Sequence, residues 1–159
     1  MKLASRIAVA GVCFVTLTGC SEPPRPTLAT ASRSLVSDGQ ELLTSALTQR
    51  AGVFRVTEKA EKDSDSACVP GSKQRFFRAQ GNFQRPGSQS PGTAAGLVRS
   101  ALLVMNYDQL VDDLDFRDED LSVVVLHKPE SAVTFMVATR NTEPNILIVG
   151  KTDCFKPEE

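Results

Sequence analysis

Three apolar runs close the chain: LSVVVLH (Leu121 to His127), AVTFMVATR (Ala132 to Arg140) and NILIVGKTDCF (Asn145 to Phe155). Each is rich in β-branched residues, and the breaks between them, KPES and NTEP, have hairpin lengths. Parallel neighbours would need a crossover of about a dozen residues or more, so these runs predict an antiparallel sheet. Whatever precedes them must cover one face of that sheet.

The preceding segments supply the cover. SRSLVSDGQELLTSALTQR predicts a helix from about Ser32 to Arg50, with Leu35, Leu42, Leu43, Ala46 and Leu47 on one stripe. Gly39 is a weak point within it, and Gly52 marks its stop. A strand is expected at Val53 to Asp63 and a partner strand at Lys73 to Arg85, with Pro70 and Gly71 punctuating the loop between. Thr93 to about Asn106 predicts a second helix buried through Leu97, Val98, Ala101, Leu102 and Met105, capped by Thr93 or Ser90. Tyr107 to Asp120 reads either as a short strand with an acidic loop or as a further helical turn.

The resulting order, α-β-β-α-β-β-β, implies an α+β two-layer sandwich. Two helices would pack on one face of a mostly antiparallel sheet of about five strands. Helix followed by antiparallel strands occurs twice, which hints at a repeat of layout, without residue identity to support a duplication.

The N-terminus carries a different kind of signal. Lys2 and Arg6 precede IAVAGVCFVTL, an apolar run of about eleven residues, too short for the roughly twenty needed to span a bilayer. Leu17-Thr18-Gly19-Cys20 follows. This order resembles the lipobox signal peptide of bacterial lipoproteins. The resemblance implies a diacylglyceryl thioether on Cys20, removal of residues 1–19, and a new N-terminus open to acylation. Two or three acyl chains would hold a domain stably, whereas one holds it only marginally. Ser21 to Ser32, with three prolines, then reads as an extended tether (20–32), leaving 33–159 as one globular domain.

The wider layout is similar to small secreted lipoproteins of actinobacteria: a lipobox, a Pro/Ser/Thr tether, two helix-plus-strands halves and a last strand ending in VGKTDCF. That similarity implies a lipid-anchored protein on the outer face of a plasma membrane. It carries over no catalytic residue.

Under this assignment Cys13 leaves with the signal peptide and Cys20 carries lipid. Cys68 and Cys154 remain, in a compartment where disulfides persist, and are expected to pair. Closing a loop of about 85 residues would stabilise the fold by ~4–5 kcal/mol. A zinc site would need three or four ligands, but the chain has one His and no Cys-x-x-Cys. A redox pair would want close cysteine spacing.

The formal net charge is −1, so no basic field calls for nucleic acid. His127 lies at a strand end beside Lys128-Pro129, with no Gly-x-Ser-x-Gly elbow to complete a triad, and reads as a surface residue. The run Asp112, Asp113, Asp115, Asp118, Glu119 and Asp120 lacks the glycine of a calcium loop, and Arg117 occupies a ligand position. It reads as a solvated loop.

Lys73, Arg75, Arg78 and Arg85 interleave with Phe76, Phe77 and Phe83. If exposed, this hairpin could contact an anionic lipid or a wall polymer, with Lys73, Arg75, Phe77, Arg78 and Arg85 as the candidate contacts. Adjacent Phe76 and Phe77 point to opposite faces of a strand, so one of them should leave the core. Phosphate-binding glycine patterns are absent, and no cofactor or metal is expected.

The sequence thus implies a non-enzymatic, lipid-anchored envelope module that binds or supports a protein, glycan or lipid partner. A His-independent hydrolase is one alternative. A sensory or inhibitory domain that presents an open sheet face to a protein is another.

The cysteine assignment is directly testable. Mass spectrometry of the mature protein should find Cys20 acylated and N-terminal, with Cys68 and Cys154 resisting alkylation until reduced. An unmodified N-terminus elsewhere, or free thiols at 68 and 154, would contradict it.

Overall fold

The computed structural model describes residues 25–85, 87–110 and 119–156. The expected signal peptide, Cys20 and the start of the tether lie outside the described residues, as do Asp112, Asp113, Asp115 and Asp118 of the acidic run.

Helix α1 spans Leu28–Thr44. It starts four residues before Ser32 because Thr27 caps it: the Thr27 side chain accepts the Thr30 amide, and the Thr30 hydroxyl accepts the Thr27 amide at 2.8 Å. Ala31 and Ser32 are already buried, so the folded domain begins near residue 27 and not at residue 33, as the sequence implied. The expected single helix also breaks. Ser45 is extended, with φ −62° and ψ 141°, and its hydroxyl accepts the Thr48 amide at 3.1 Å, starting a separate helix α2, Ala46–Ala51. A serine that can cap competes with continuing the helix, and here it does so.

Strands β1 (Val53–Lys59) and β2 (Phe76–Asn82) form the first hairpin. Helix α3 (Pro91–Val104) follows, capped by Ser90 with Pro91 in its first turn. The uncertain stretch contributes a two-residue strand β3, Asp108–Gln109. The closing runs are β4 (Leu121–Lys128), β5 (Val133–Arg140) and β6 (Ile146–Thr152). A single 3₁₀ turn, Pro129–Ser131, links β4 to β5.

All six strands pair antiparallel in the order β1-β2-β6-β5-β4-β3. The structure is therefore α+β, with three α-helices and six strands among the described residues, where the sequence implied two and about five. The three helices lie on one face. α1 packs on β2, β6 and β5, α3 packs on β4 and β5, and α2 packs against α3.

Two glycines set how closely that layer approaches. Phe77 ↔ Gly150 ↔ Phe135 ↔ Leu126 are successive cross-strand neighbours on the helix-covered face. Gly150 leaves the gap that the Phe135 ring and Leu35 of α1 fill; a Cβ there would lie 2.5 Å from Phe135 and 2.6 Å from Leu35. Gly39 of α1 sits over the Phe77 ring, where a Cβ would come within 2.8 Å of three ring carbons. The rings pack edge-on: Phe77 on Phe135 at 6.4 Å between centroids, and Tyr107 on Phe135 at 5.4 Å.

The β2–β6 seam joins the two halves of the chain and is pinned at both ends. At one end Cys68, in the β1–β2 loop, is disulfide-bonded to Cys154 after β6, with Cα atoms 5.7 Å apart, as expected from the sequence. The Lys73 and Phe155 backbones exchange hydrogen bonds beside it. At the other end, Asn145 accepts the Phe83 amide through Oδ1 and donates through Nδ2 to the carbonyls of Arg140 and Asn141.

Replacing glycine by alanine separates intrinsic helix propensity from packing. At Gly96, inside α3, a Cβ meets nothing within 4 Å, so Gly96→Ala should stabilise by roughly 0.5–1 kcal/mol. At Gly39 the same gain is outweighed by overpacking against Phe77, and a net loss of about 1–2 kcal/mol is expected. Gly150→Ala should cost ~2–3 kcal/mol. Denaturant melts check the order; a stabilising Gly39→Ala would contradict this packing.

Candidate functional site

The face of the sheet opposite the helices is the structure's main uncommitted surface. Cross-strand register places Glu58, Arg78, Val149, Met136 and Val125 in one row across it. Arg55, Gln80, Leu147, Ala138 and Val123 form the next row, and Phe76, Lys151, Thr134, His127 and Asp108 the row on the other side. No helix among the described residues packs on these rows.

The centre of this face is apolar. Val123, Val125, Met136, Ala138, Leu147 and Val149 adjoin one another on β4, β5 and β6. Met136 and Leu147 are 39% and 40% exposed. An antiparallel sheet with one solvated face normally alternates apolar and polar residues. β4, β5 and β6 depart from that, being apolar on both faces at their centres. The runs VVVL, FMVA and ILIV carried this signal in the sequence, but there they served only to assign strands.

Charge is arranged around the patch. Among the described residues Arg55, Arg78, Arg140 and Lys151 are its cations, against Glu58, Asp108 and, beside Arg55 and Gln80, Glu143 of the β5–β6 loop. Arg78 is held in place: its Nη1 donates to Glu58 Oε2 at 2.7 Å, and its guanidinium lies 4.6 Å from the Phe76 ring centroid.

The contacts proposed from the β2 sequence do not stay together. Phe77 is fully buried beneath α1, so it is not a contact residue; Phe76 is the ring that the pleat turns to the open face. Lys73 is half-buried in its bridge to Phe155. Arg75 points to the helix-side groove, where its Nε donates to Asp63 at 2.8 Å. Arg85 is exposed in the loop after β2. Of these four basic residues only Arg78 lies on the open face. Burial of adjacent residues depends on strand register, which the local sequence did not specify.

His127 is half-buried on the open face, with Nδ1 3.0 Å from the Thr134 hydroxyl and Asp108 opposite it in register. The row carries an acid, an imidazole and a hydroxyl, but it lies flat on the sheet, without a cavity or a converging pair of oxyanion donors. Beside α1, a shallow groove of about 590 Å³ is lined by Ala29, Val36, Gln40, Ala60 and Arg75. It contains no facing pair of carboxylates. Among the described residues no cluster of three or more His, Cys, Asp or Glu could hold a metal.

One buried polar cluster is structural. The Tyr107 hydroxyl donates to Asp38 Oδ2 at 2.7 Å, and Lys128 Nζ lies 3.6 Å from the same oxygen and 5.4 Å from the Tyr107 ring centroid. It ties α1 to the end of β4 and to the turn after α3. Burial of the phenol, then its hydrogen bond to Asp38, push its ionisation far above the usual value.

Tyr107 is the only tyrosine, so its titration can be followed without overlap. The folded protein should show no phenolate absorbance at about pH 10–11, where an unfolded tyrosine ionises. Above about pH 10 the unfolded state loses a proton that the folded state keeps, so stability should fall as pH rises. Phenolate appearing near pH 10 while the fold persists would contradict this placement.

No protein-family model, curated protein or solved structure matches the chain.

Proposed function

We propose that this protein is a lipid-anchored module of the extracytoplasmic envelope that works by binding, with the open sheet face as its docking surface. One observation carries the docking: β4, β5 and β6 are apolar on both faces, yet the helices cover one of them. Side chains such as Met136 and Leu147 gain by leaving water only if a partner covers them. The anchor at Cys20 and residence outside the cytoplasm are supported by the lipobox resemblance. The Cys68–Cys154 bridge is in keeping with an oxidising compartment.

Of the readings open at the sequence level, a module that presents its sheet to a protein is favoured over a glycan binder or a hydrolase. Glycan and hydrolase sites are concave with convergent polar groups. This face is flat and apolar at its centre.

The test uses the anchored protein extracted from its membrane in mild detergent. Its native size should exceed that of an acylated monomer in a micelle. A Met136→Asp, Leu147→Asp double variant should run as the monomer. Both side chains face solvent in part, so the double variant should lose only about 1 kcal/mol of stability. A wild-type protein that runs as a monomer, or a double variant of unchanged size, would contradict docking through this face.

A further inference from the structure

The open face has a charge imbalance that specifies its occupant more narrowly. Among the described residues, four cations and three carboxylates (Glu58, Asp108 and Glu143) surround the apolar centre, a surplus of one. The whole chain has a formal net charge of −1, so the remainder carries a deficit of two. A net acidic protein thus turns a cationic, apolar-centred face outward. Arg55 and Lys151 make no ion pair among the described residues, so their charge is available. Arg78 is ordered before any partner arrives, by Glu58 on one side and the Phe76 ring on the other. Such pre-ordering lowers the entropy cost of an arginine contact.

We infer that the occupant is a folded protein whose surface has an apolar centre and an acidic rim. This rests on the sheet face being the docking surface. Met136 and Leu147 seat the partner's apolar centre, while Arg55, Arg78, Arg140 and Lys151 meet its carboxylates. Six strands about 4.8 Å apart, rising ~3.3 Å per residue, give a face of roughly 600 Å². Covering it with an equal partner surface buries roughly 1,200 Å², the lower end of the range for specific interfaces.

Two other occupants are disfavoured by the same facts. A second copy stacked face to face would bring a surplus of one positive charge onto an identical surplus. A membrane surface favours protruding aromatic residues at the headgroup level. The chain has no Trp, its one Tyr is buried, and among the described residues the one phenyl ring on this face, Phe76, is covered by Arg78.

The experiment places a photo-crosslinking amino acid at Met136, at Leu147, or at Val104 as a control on α3, in the full-length anchored protein in its own cells. Val104 is 78% exposed and lies on the helix side. Irradiation at 136 and 147 should give the same protein adduct, absent at 104, with the crosslinked peptide lying beside Asp or Glu residues. Lys151→Glu and Arg140→Glu should each lower the adduct yield at least fivefold, and Arg78→Glu at least tenfold. Arg78→Lys, which keeps the charge, should retain most of it, and a thermal melt of each variant checks folding. A protein adduct indifferent to charge reversal would overturn the acidic-partner inference while leaving the docking face intact. Adducts to lipid alone, or to a second copy, would overturn the inference as well. No adduct from 136 or 147 would overturn the docking face itself.

Discussion

The closeness of α1 to the sheet rests on two missing side chains. Gly39 lets the helix lie directly on the Phe77 ring, and Gly150 lets Phe135 and Leu35 close over the backbone of β6. The rings of Phe77, Phe135 and Tyr107 then stack edge to face as one buried unit. Because the rings sit against backbone rather than between side chains, the helical layer seals its face of the sheet closely. Tyr107 adds a polar tie through Asp38 and Lys128, so the same cluster also fixes where the end of β4 meets α1. The helices are committed to this face, and the opposite face keeps its apolar centre without an internal partner among the described residues.

The seam between β2 and β6 is the second structural element on which the account depends. These strands come from opposite halves of the domain, and their pairing merges two local hairpin systems into one sheet. Such long-range pairing gains little from local propensity, since the loop entropy must be overcome first. The disulfide, the Lys73–Phe155 bridge and the Asn145 hydrogen bonds all act on this seam. Their effect on function is indirect: they hold Arg78 of β2 at a set distance from Val149 of β6 and Met136 of β5, and so preserve the shape of the open face.

Local chemistry made much of this legible from the sequence. Hairpin-length breaks located β4 to β6, the apolar stripes located α1 and α3, and the lipobox resemblance, which sets Cys13 and Cys20 apart, implied Cys68–Cys154. Features set by competition or distant pairing were less accessible. Ser45 reads as an ordinary helical residue until its capping bond to Thr48 ends α1. Phe77 and Phe76 are chemically equivalent, and only the register against β6 decides which is buried. Gly39 looked like a defect in a helix because its partner, the Phe77 ring, is 38 residues away in the chain. The apolar open face was written in the non-alternating strands, but it becomes a surface only once the helices are known to cover one side.

The central claim is that the open sheet face is covered when the protein is in place. Hydroxyl-radical footprinting of intact cells against the purified protein tests it most directly, since Met136 is an efficient reporter at the centre of the face. The account predicts that Met136 and Leu147 are labelled at least severalfold less in cells than in the purified protein, while Val69 and Val104, exposed elsewhere, are labelled alike in both. Equal labelling of Met136 and Leu147 in the two settings would contradict it.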